Sequence, residues 1–185
     1  MTATAAWGAT APDSGINALT IDRRTLRDED VAIDIAFCGV CHSDLHAARN
    51  DWGRTRYPFV PGHEIVGTVR AVGPDVTRFK VGDRVAVGTV VDSCRHCDAC
   101  EHDLEQYCAE GATWTYNGRE RESGAPTYGG YSTRITVDQA YVLADGKMPS
   151  SDDVLEARRV GVLGADEQGG AGRQRGRRAH RRLAF

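Results

Sequence analysis

The stretch HEIVGTVRAVG at positions 63–73 decides the fold, because its β-branched residues predict a strand and the Gly-Pro at its end predicts a turn. Upstream, DVAIDIAF at 30–37 alternates apolar residues with smaller or polar ones, which is the period of a half-buried strand. Downstream, DRVAVGTVV at 83–91 and YSTRITVDQAYVLA at 131–144 continue the pattern. These segments, separated by glycine-rich turns, predict a compact, mainly β domain with few, short helices over residues 1–145.

Composition limits what such a domain can be. Of the 185 residues, 26% are charged and 41% hydrophobic, which is ordinary for a soluble chain of one domain or one domain plus part of another. The first residues have neither a basic start nor an apolar run, and no stretch is apolar enough for a membrane span. We therefore expect a cytoplasmic protein without a membrane partner, in which clustered cysteines bind metal more often than they form disulfides.

Four of the six cysteines occur in CRHCDACEHDLEQYC at 94–108. Cys94, Cys97, Cys100 and Cys108 can converge on one tetrahedral ion, and four thiolates leave no open coordination position. This spacing predicts a structural zinc site. An iron–sulfur cluster also accepts four cysteines, and unrelated free or disulfide-bonded thiols are the remaining alternative.

The segments GVCHSDLH and VPGHEIVG indicate a second, different metal site. Cys41 and His63 are suitable ligands that lie far apart in the sequence, as is common in catalytic zinc sites. Glu64 can orient the metal or exchange with its water. Ser43 and His46 lie on one local turn, where a hydroxyl and an imidazole could pass a proton outward.

The two segments above, the motif GDRV, the four-cysteine motif and the motif GGYS follow one another along the chain. This order of motifs resembles the zinc-dependent medium-chain alcohol dehydrogenases. YPFVPGHEIVG, and EQYC followed by TWTYN, are most similar to the cinnamyl-alcohol-dehydrogenase branch, which includes bacterial aldehyde reductases. The resemblance covers residues 20–145 approximately. It implies a chaperonin-10-like (GroES-like) catalytic domain, followed in complete members by a Rossmann domain that binds NADP(H) or NAD(H).

The resemblance also implies roles for individual residues. Cys41 and His63 match two catalytic zinc ligands, and Glu64 matches the neighbouring acid. Ser43 and His46 match the proton relay. Zinc would polarise a small alcohol or aldehyde substrate while hydride passes to or from the nicotinamide.

Four further residues are read through the same resemblance. His42 matches the position that faces the cofactor pyrophosphate. Trp52 and Trp114 lie where the family lines its substrate pocket, although core packing is an equal alternative for each. Cys38 has no ligand role in the family, and a small buried thiol is its preferred interpretation.

The chain departs from the family after residue 145. SSDDVLEAR followed by RVGVLG predicts a linker and the first strand of a Rossmann domain over 146–164, but no glycine fingerprint follows. Residues 165–185 contain six arginines and predict a disordered Arg/Gly-rich tail. The family's third catalytic ligand is a cysteine in this region, whereas no cysteine follows Cys108.

We therefore expect a truncated or frameshifted alcohol dehydrogenase whose second zinc site is weak, with Glu64 or Cys38 as substitute ligand. As an isolated chain it should have no measurable turnover, and the family's dimer contacts should be lost with the Rossmann domain. A non-catalytic structural zinc module is the alternative. Binding of nucleic acid by the arginines is less favoured, because no aromatic or helical reading element accompanies them.

Overall fold

The computed structural model describes residues 1–144, so the predictions for 146–164 and 165–185 lie outside the described residues. Within residues 1–144 the chain forms nine strands, two short α-helices and two 3-10 turns. In chain order these are β1 (Thr2–Gly8), β2 (Asn17–Arg23), β3 (Asp30–Cys38), α1 (His42–Ala48), β4 (Ile65–Val72), β5 (Arg84–Val87), β6 (Val90–Asp92), α2 (Asp98–Glu101), a 3-10 turn (Glu105–Tyr107), β7 (Thr113–Trp114), β8 (Arg134–Asp138), a 3-10 turn (Gln139–Tyr141) and β9 (Val142–Ala144).

A five-stranded antiparallel sheet in the order β8-β3-β4-β5-β9 carries the core. Successive side chains of a strand point to opposite faces, so the apolar residues of β3 and β4 that alternate with polar ones collect on one side. The strands predicted at 30–37 and 63–73 are therefore present as β3 and β4. The buried core residues are Val31, Ile33, Ile65, Val69, Phe79, Val85, Val87, Ile135, Val137 and Val142.

The two segments that continue the strand pattern, 83–91 and 131–144, each contain parts of two strands. The segment 83–91 forms β5 and then leaves the sheet, since Thr115 donates its N–H to the carbonyl of Thr89 (2.9 Å) and β6 pairs with β7 instead. The segment 131–144 is interrupted by a 3-10 turn, because the Asp138 carboxylate caps the N–H of Ala140 (2.8 Å). A local side-chain cap competes with the strand ladder here.

The sequence did not predict the N-terminal hairpin, in which β1 pairs antiparallel with β2. The hairpin is joined to the rest of the domain by backbone hydrogen bonds from Trp7 to Tyr131 (2.7 Å) and from Thr133 to Ala5 (2.9 Å). None of the helices in residues 1–144 is long and apolar enough to cross a membrane.

Arg23, at the end of β2, fixes the segment that precedes β8. Its guanidinium donates to the carbonyls of Tyr128 (2.7 Å), Gly129 (2.8 Å) and Arg134 (3.0 Å), and to the Ser132 hydroxyl (2.8 Å). These are neutral acceptors, so Arg23 works as a multidentate clamp on the backbone.

The clamped segment in turn holds the loop that precedes the candidate histidine ligand. Gly129 donates to the carbonyl of Val60 and Gly130 donates to that of Gly62, both at 2.8 Å. A Cβ atom at Gly129 would lie 2.2 Å from the carbonyl oxygen of Pro61, so the close approach of the two segments requires glycine.

Replacing Arg23 by Gln should lower the free energy of unfolding by about 3 kcal/mol, because several partly buried acceptors lose a charged donor. Urea denaturation of the zinc-loaded chain, followed by circular dichroism, measures this. The control is Arg70→Gln, which breaks an exposed pair with Asp34 (3.4 Å) and should cost less than about 1 kcal/mol. Equal effects of the two substitutions would contradict the clamp.

Candidate metal centres

Two backbone segments bring Cys41 and His63 together. Cys41 is the N-cap residue of α1, with extended backbone angles, and His63 lies two residues before β4 begins. One Sγ, imidazole or carboxylate atom from each of Cys41, His63 and Glu64 lies within 4.8 Å of the other two. A thiolate, an imidazole and a carboxylate are all suitable zinc ligands.

The buried carboxylate of Asp44, which is 4% exposed, joins the two segments. One oxygen accepts the backbone N–H of Cys41 and the other accepts that of Gly62, both at 2.9 Å. The Nδ1 atom of His63 lies 4.0 Å from the same carboxylate. Asp44 therefore sets the separation of the two candidate ligands, and the sequence analysis did not identify it.

Glu64 and Cys38 are placed differently with respect to this site. Glu64 is exposed, and its carboxylate packs so closely on Gly39 that a Cβ atom there would lie 2.1 Å from its oxygen. Burial raises the pKa of the Cys38 thiol to about 11, which disfavours the thiolate that a metal needs. Glu64, rather than Cys38, is therefore the better third donor among the described residues.

Ser43 and His46 have separate partners. Tyr116 donates its phenol proton to the Ser43 hydroxyl (3.1 Å), and its ring lies 5.3 Å from that of His63. Burial raises the pKa of Tyr116 to about 12, so the phenol remains protonated. The Nδ1 atom of His46 lies 2.7 Å from the Asp51 carboxylate.

A cavity of about 490 Å³ opens beside this site, with Ser43 and His63 in its wall. Trp52 and Trp114 line the same cavity and are 49% and 47% exposed. The structure therefore brings together one residue that the sequence assigned to the metal (His63), one assigned to the proton relay (Ser43) and two assigned to the substrate pocket (Trp52 and Trp114). His42, at the exposed start of α1, is not a member of the donor set.

The four cysteines of segment 94–108 converge in the lobe between β6 and β7. Their sulfur atoms all lie within 4.8 Å of one another, and two of the distances are 3.5 Å (Cys97 to Cys100) and 3.9 Å (Cys94 to Cys100). A tetrahedral ion with Zn–S bonds of about 2.3 Å requires sulfur separations of about 3.8 Å. The donor set fits zinc.

Backbone N–H groups point at two of these sulfur atoms. Ala109 donates to Cys97 and Cys94 donates to Cys108, both at 3.4 Å. The N–H of Ala109 is the largest cause that lowers the pKa of Cys97 to about 6, and the N–H of Cys94 likewise lowers the pKa of Cys108. These N–H groups therefore favour the thiolates of Cys97 and Cys108, whereas at Cys94 burial and the neighbouring thiols outweigh its own backbone N–H donors and raise its pKa to about 11.

Ion pairs attach the lobe to the main sheet. Arg95 lies 2.8 Å from Asp138 in β8 and 3.0 Å from Asp92, and its guanidinium lies over the ring of Tyr141. A third donor group, Cys94 with His96 and Glu110, shares Cys94 with the four-cysteine set. It therefore cannot be a separate site when the four cysteines hold an ion.

Comparison with known proteins agrees with this architecture. Residues 27–149 match the family described as alcohol dehydrogenase GroES-like domain. NADP-dependent alcohol dehydrogenase C of Mycobacterium bovis is 51% identical over 143 residues, which are 77% of this chain and 41% of the relative. Probable cinnamyl alcohol dehydrogenase 3 of Oryza sativa subsp. japonica is 50% identical over 138 residues, 74% of this chain and 37% of the relative.

Solved structures agree as well. A cinnamyl alcohol dehydrogenase from Sorghum bicolor superposes with a TM-score of 0.77 at 37% identity, covering 91% of this chain and 50% of that one. The CAD from Helicobacter pylori complexed with NADP(H) also gives 0.77 at 37% identity, covering 80% of this chain and 43% of that one.

The chain belongs to the family of the alcohol dehydrogenase GroES-like domain. The predicted fold class, mainly β with short helices, is thereby confirmed, and so is the resemblance to the cinnamyl-alcohol-dehydrogenase branch. The chain spans about 41% of the length of the first curated relatives it matches.

We expect the purified chain to hold one zinc ion tightly through its four-cysteine lobe. Replacing Cys97 by Ala should abolish tight zinc binding and lower thermal stability, because metal binding and folding of such sites are coupled. Elemental analysis after exposure to a chelator measures the retained zinc. The matched control, Cys38→Ala, should keep it; chelator-resistant zinc in Cys97→Ala would contradict the assignment.

The site of Cys41 and His63 should bind metal more weakly, and Asp44→Asn should weaken it about 10- to 100-fold further, since an amide cannot accept both backbone N–H bonds. Titration with cobalt(II), after the four-cysteine site has been filled with zinc, measures the affinity. Asp51→Asn, outside the donor set, is the control and should change it little. An unchanged affinity in Asp44→Asn would overturn the positioning role.

Proposed function

We propose that the described residues are the zinc- and substrate-binding half of a zinc-dependent alcohol dehydrogenase or aldehyde reductase, which transfers hydride between NAD(P)(H) and an alcohol or aldehyde. The observation that carries the proposal is the position of His63 and Ser43 in the wall of an aromatic-lined cavity. A cavity of a few hundred Å³ with few polar groups is typical of small-molecule sites. The 51% identity to an NADP-dependent alcohol dehydrogenase supports the same activity.

In this proposal Cys41, His63 and Glu64 hold a zinc ion. When bound, zinc supplies Lewis-acid polarisation of the substrate oxygen. The four-cysteine lobe has no open coordination position and therefore serves structure alone. Asp44 holds the backbone of both candidate ligand segments, which keeps the donor atoms aimed at one point.

Ser43 and His46 move the proton in this mechanism. Because Tyr116 donates to the Ser43 oxygen, the serine's own proton can point into the cavity, toward a substrate oxygen. The Asp51 carboxylate favours the proton on Nδ1 of His46, which leaves Nε2 free to accept a proton. Ser43 is hydrogen-bonded to Tyr116 and His46 to Asp51, not to each other. A proton would therefore pass from one to the other through an intervening hydroxyl or water.

Trp52 and Trp114 provide apolar walls for the body of the substrate, and His42 is our candidate for contact with the cofactor pyrophosphate. All strand pairs in residues 1–144 are antiparallel, so the described part of the chain contains no parallel β–α–β unit for a dinucleotide. The expectation that the isolated chain shows no turnover stays a prediction. We also propose a cytoplasmic location, which suits unpaired thiolate ligands.

A mixed-metal spectrum tests the function. With zinc in the four-cysteine site and cobalt(II) at Cys41 and His63, cinnamyl alcohol or cinnamaldehyde should shift the visible cobalt bands, because the substrate oxygen becomes a ligand. Cys41→Ser should abolish both the bands and the response, whereas the matched Cys38→Ser variant should keep them. If the chain binds a single metal ion tightly, takes up no second ion and shows no spectral response to the substrate, a purely structural zinc module would instead be favoured.

A further inference from the structure

Two arginines, Arg54 and Arg56, lie in the wall of the cavity beside the candidate zinc site, and none of the acidic residues within positions 1–144 lines this cavity. Neither guanidinium is within ion-pair distance of a carboxylate in the described part of the chain. By contrast, Arg95 in the cysteine lobe is paired with Asp138 at 2.8 Å. The cavity therefore carries two positive charges that residues 1–144 do not neutralise.

The backbone that carries these arginines is fixed on both sides. Asn117 accepts the N–H of Arg56 (2.9 Å) and donates to the carbonyl of Arg54 (3.3 Å). Between them, Thr55 donates its N–H to the side chain of Asn50 (2.9 Å) and its hydroxyl to the carbonyl of Ala47 (2.7 Å). This clamp fixes the backbone from which the two exposed arginine side chains extend along the cavity wall.

Aromatic surface lies next to the charges. The guanidinium carbon of Arg54 is 5.6 Å from the ring centroid of Trp52, within the range of a cation–π contact. Trp114 and Tyr116 line the same cavity. One molecule can therefore present an oxygen near His63, an aromatic or apolar body to the rings, and a negative group to the guanidinium groups.

We propose that the cavity selects alcohols and aldehydes that carry an anionic group, such as a carboxylate, remote from the reacting carbon, and that Arg54 and Arg56 bind this group. The inference rests on the proposed function, whose substrate class it narrows. A guanidinium fork matches a carboxylate or a phosphate equally well, so a cofactor phosphate is the other possible source of negative charge. The position of both arginines in the cavity that His63 and Ser43 line favours the substrate.

The test compares 4-formylbenzoate with its methyl ester, two aldehydes that differ by one negative charge. Binding to the zinc-loaded full chain is followed through the NMR signals of the tryptophan indole N–H groups, with Trp7, outside the cavity, as internal control. At low salt the carboxylate should bind about fivefold more tightly than the ester, and the difference should shrink as salt is added. Arg54→Gln with Arg56→Gln should abolish the difference, because it lowers the affinity for the carboxylate more than the affinity for the ester.

Three controls decide the outcome. Arg70→Gln, outside the cavity, should leave both affinities unchanged. The preference should persist in Cys41→Ser; its loss there alone would show the carboxylate on the metal and overturn the proposal. A double arginine variant that binds NADP(H) less tightly yet keeps the carboxylate preference would overturn it in favour of the cofactor phosphate.

The two proposals fail in different ways. Equal affinities of the charged and neutral aldehydes, with the affinity for the ester lowered in Cys41→Ser, would overturn the anionic substrate class and leave the dehydrogenase site intact. Absence of binding by either aldehyde would count against both.

Discussion

The buried carboxylate of Asp44 is the constraint on which the candidate catalytic site depends. A carboxylate that is 4% exposed is costly unless it accepts several hydrogen bonds, and here two backbone N–H groups supply them. One N–H belongs to Cys41 and the other to Gly62, the residue before His63. The hydrogen bonds that stabilise the buried carboxylate therefore also fix the distance between the two candidate ligands. Gly62 has a φ of 100°, which allows its N–H to turn toward the acid without strain.

The sequence predicted the parts of the molecule whose signal is periodic or repeated. Alternation located β3 and β4, and the cysteine spacing located the four-sulfur cluster. Neither signal exists for Tyr116, which reaches Ser43 from 73 positions away. Asp44 did leave a local trace, since an acid three residues after an N-cap is part of a capping box, but its contact with Gly62 is tertiary. The division of segment 83–91 also depends on a tertiary contact. The N–H of Thr115, just after β7, donates to the carbonyl of Thr89, and the chain leaves the main sheet at this point.

The cysteine lobe lacks what normally stabilises a folded segment. Between residues 94 and 112 the buried residues are Cys100 and Cys108, so the metal ligands themselves are the interior. The α-helix there has four residues, too few to be stable alone. A bound ion would replace the missing apolar core, and the salt bridge of Arg95 to Asp138 would transmit the order of the lobe to β8.

The chain contains three Cys-x-x-Cys pairs, Cys38 with Cys41, Cys94 with Cys97 and Cys97 with Cys100, and the thiols of Cys38 and Cys97 lie in opposite environments. Cys38 belongs to β3, where it pairs with Ile65 and packs against the core, and burial there outweighs a single backbone hydrogen bond. Cys97 lies in a loop that supplies backbone N–H groups to its sulfur. These donors lower the pKa of Cys97 to about 6, whereas burial raises that of Cys38 to about 11. A thiol becomes a ligand only as its thiolate, so the N–H donors around Cys97 favour metal binding there, whereas burial disfavours it at Cys38.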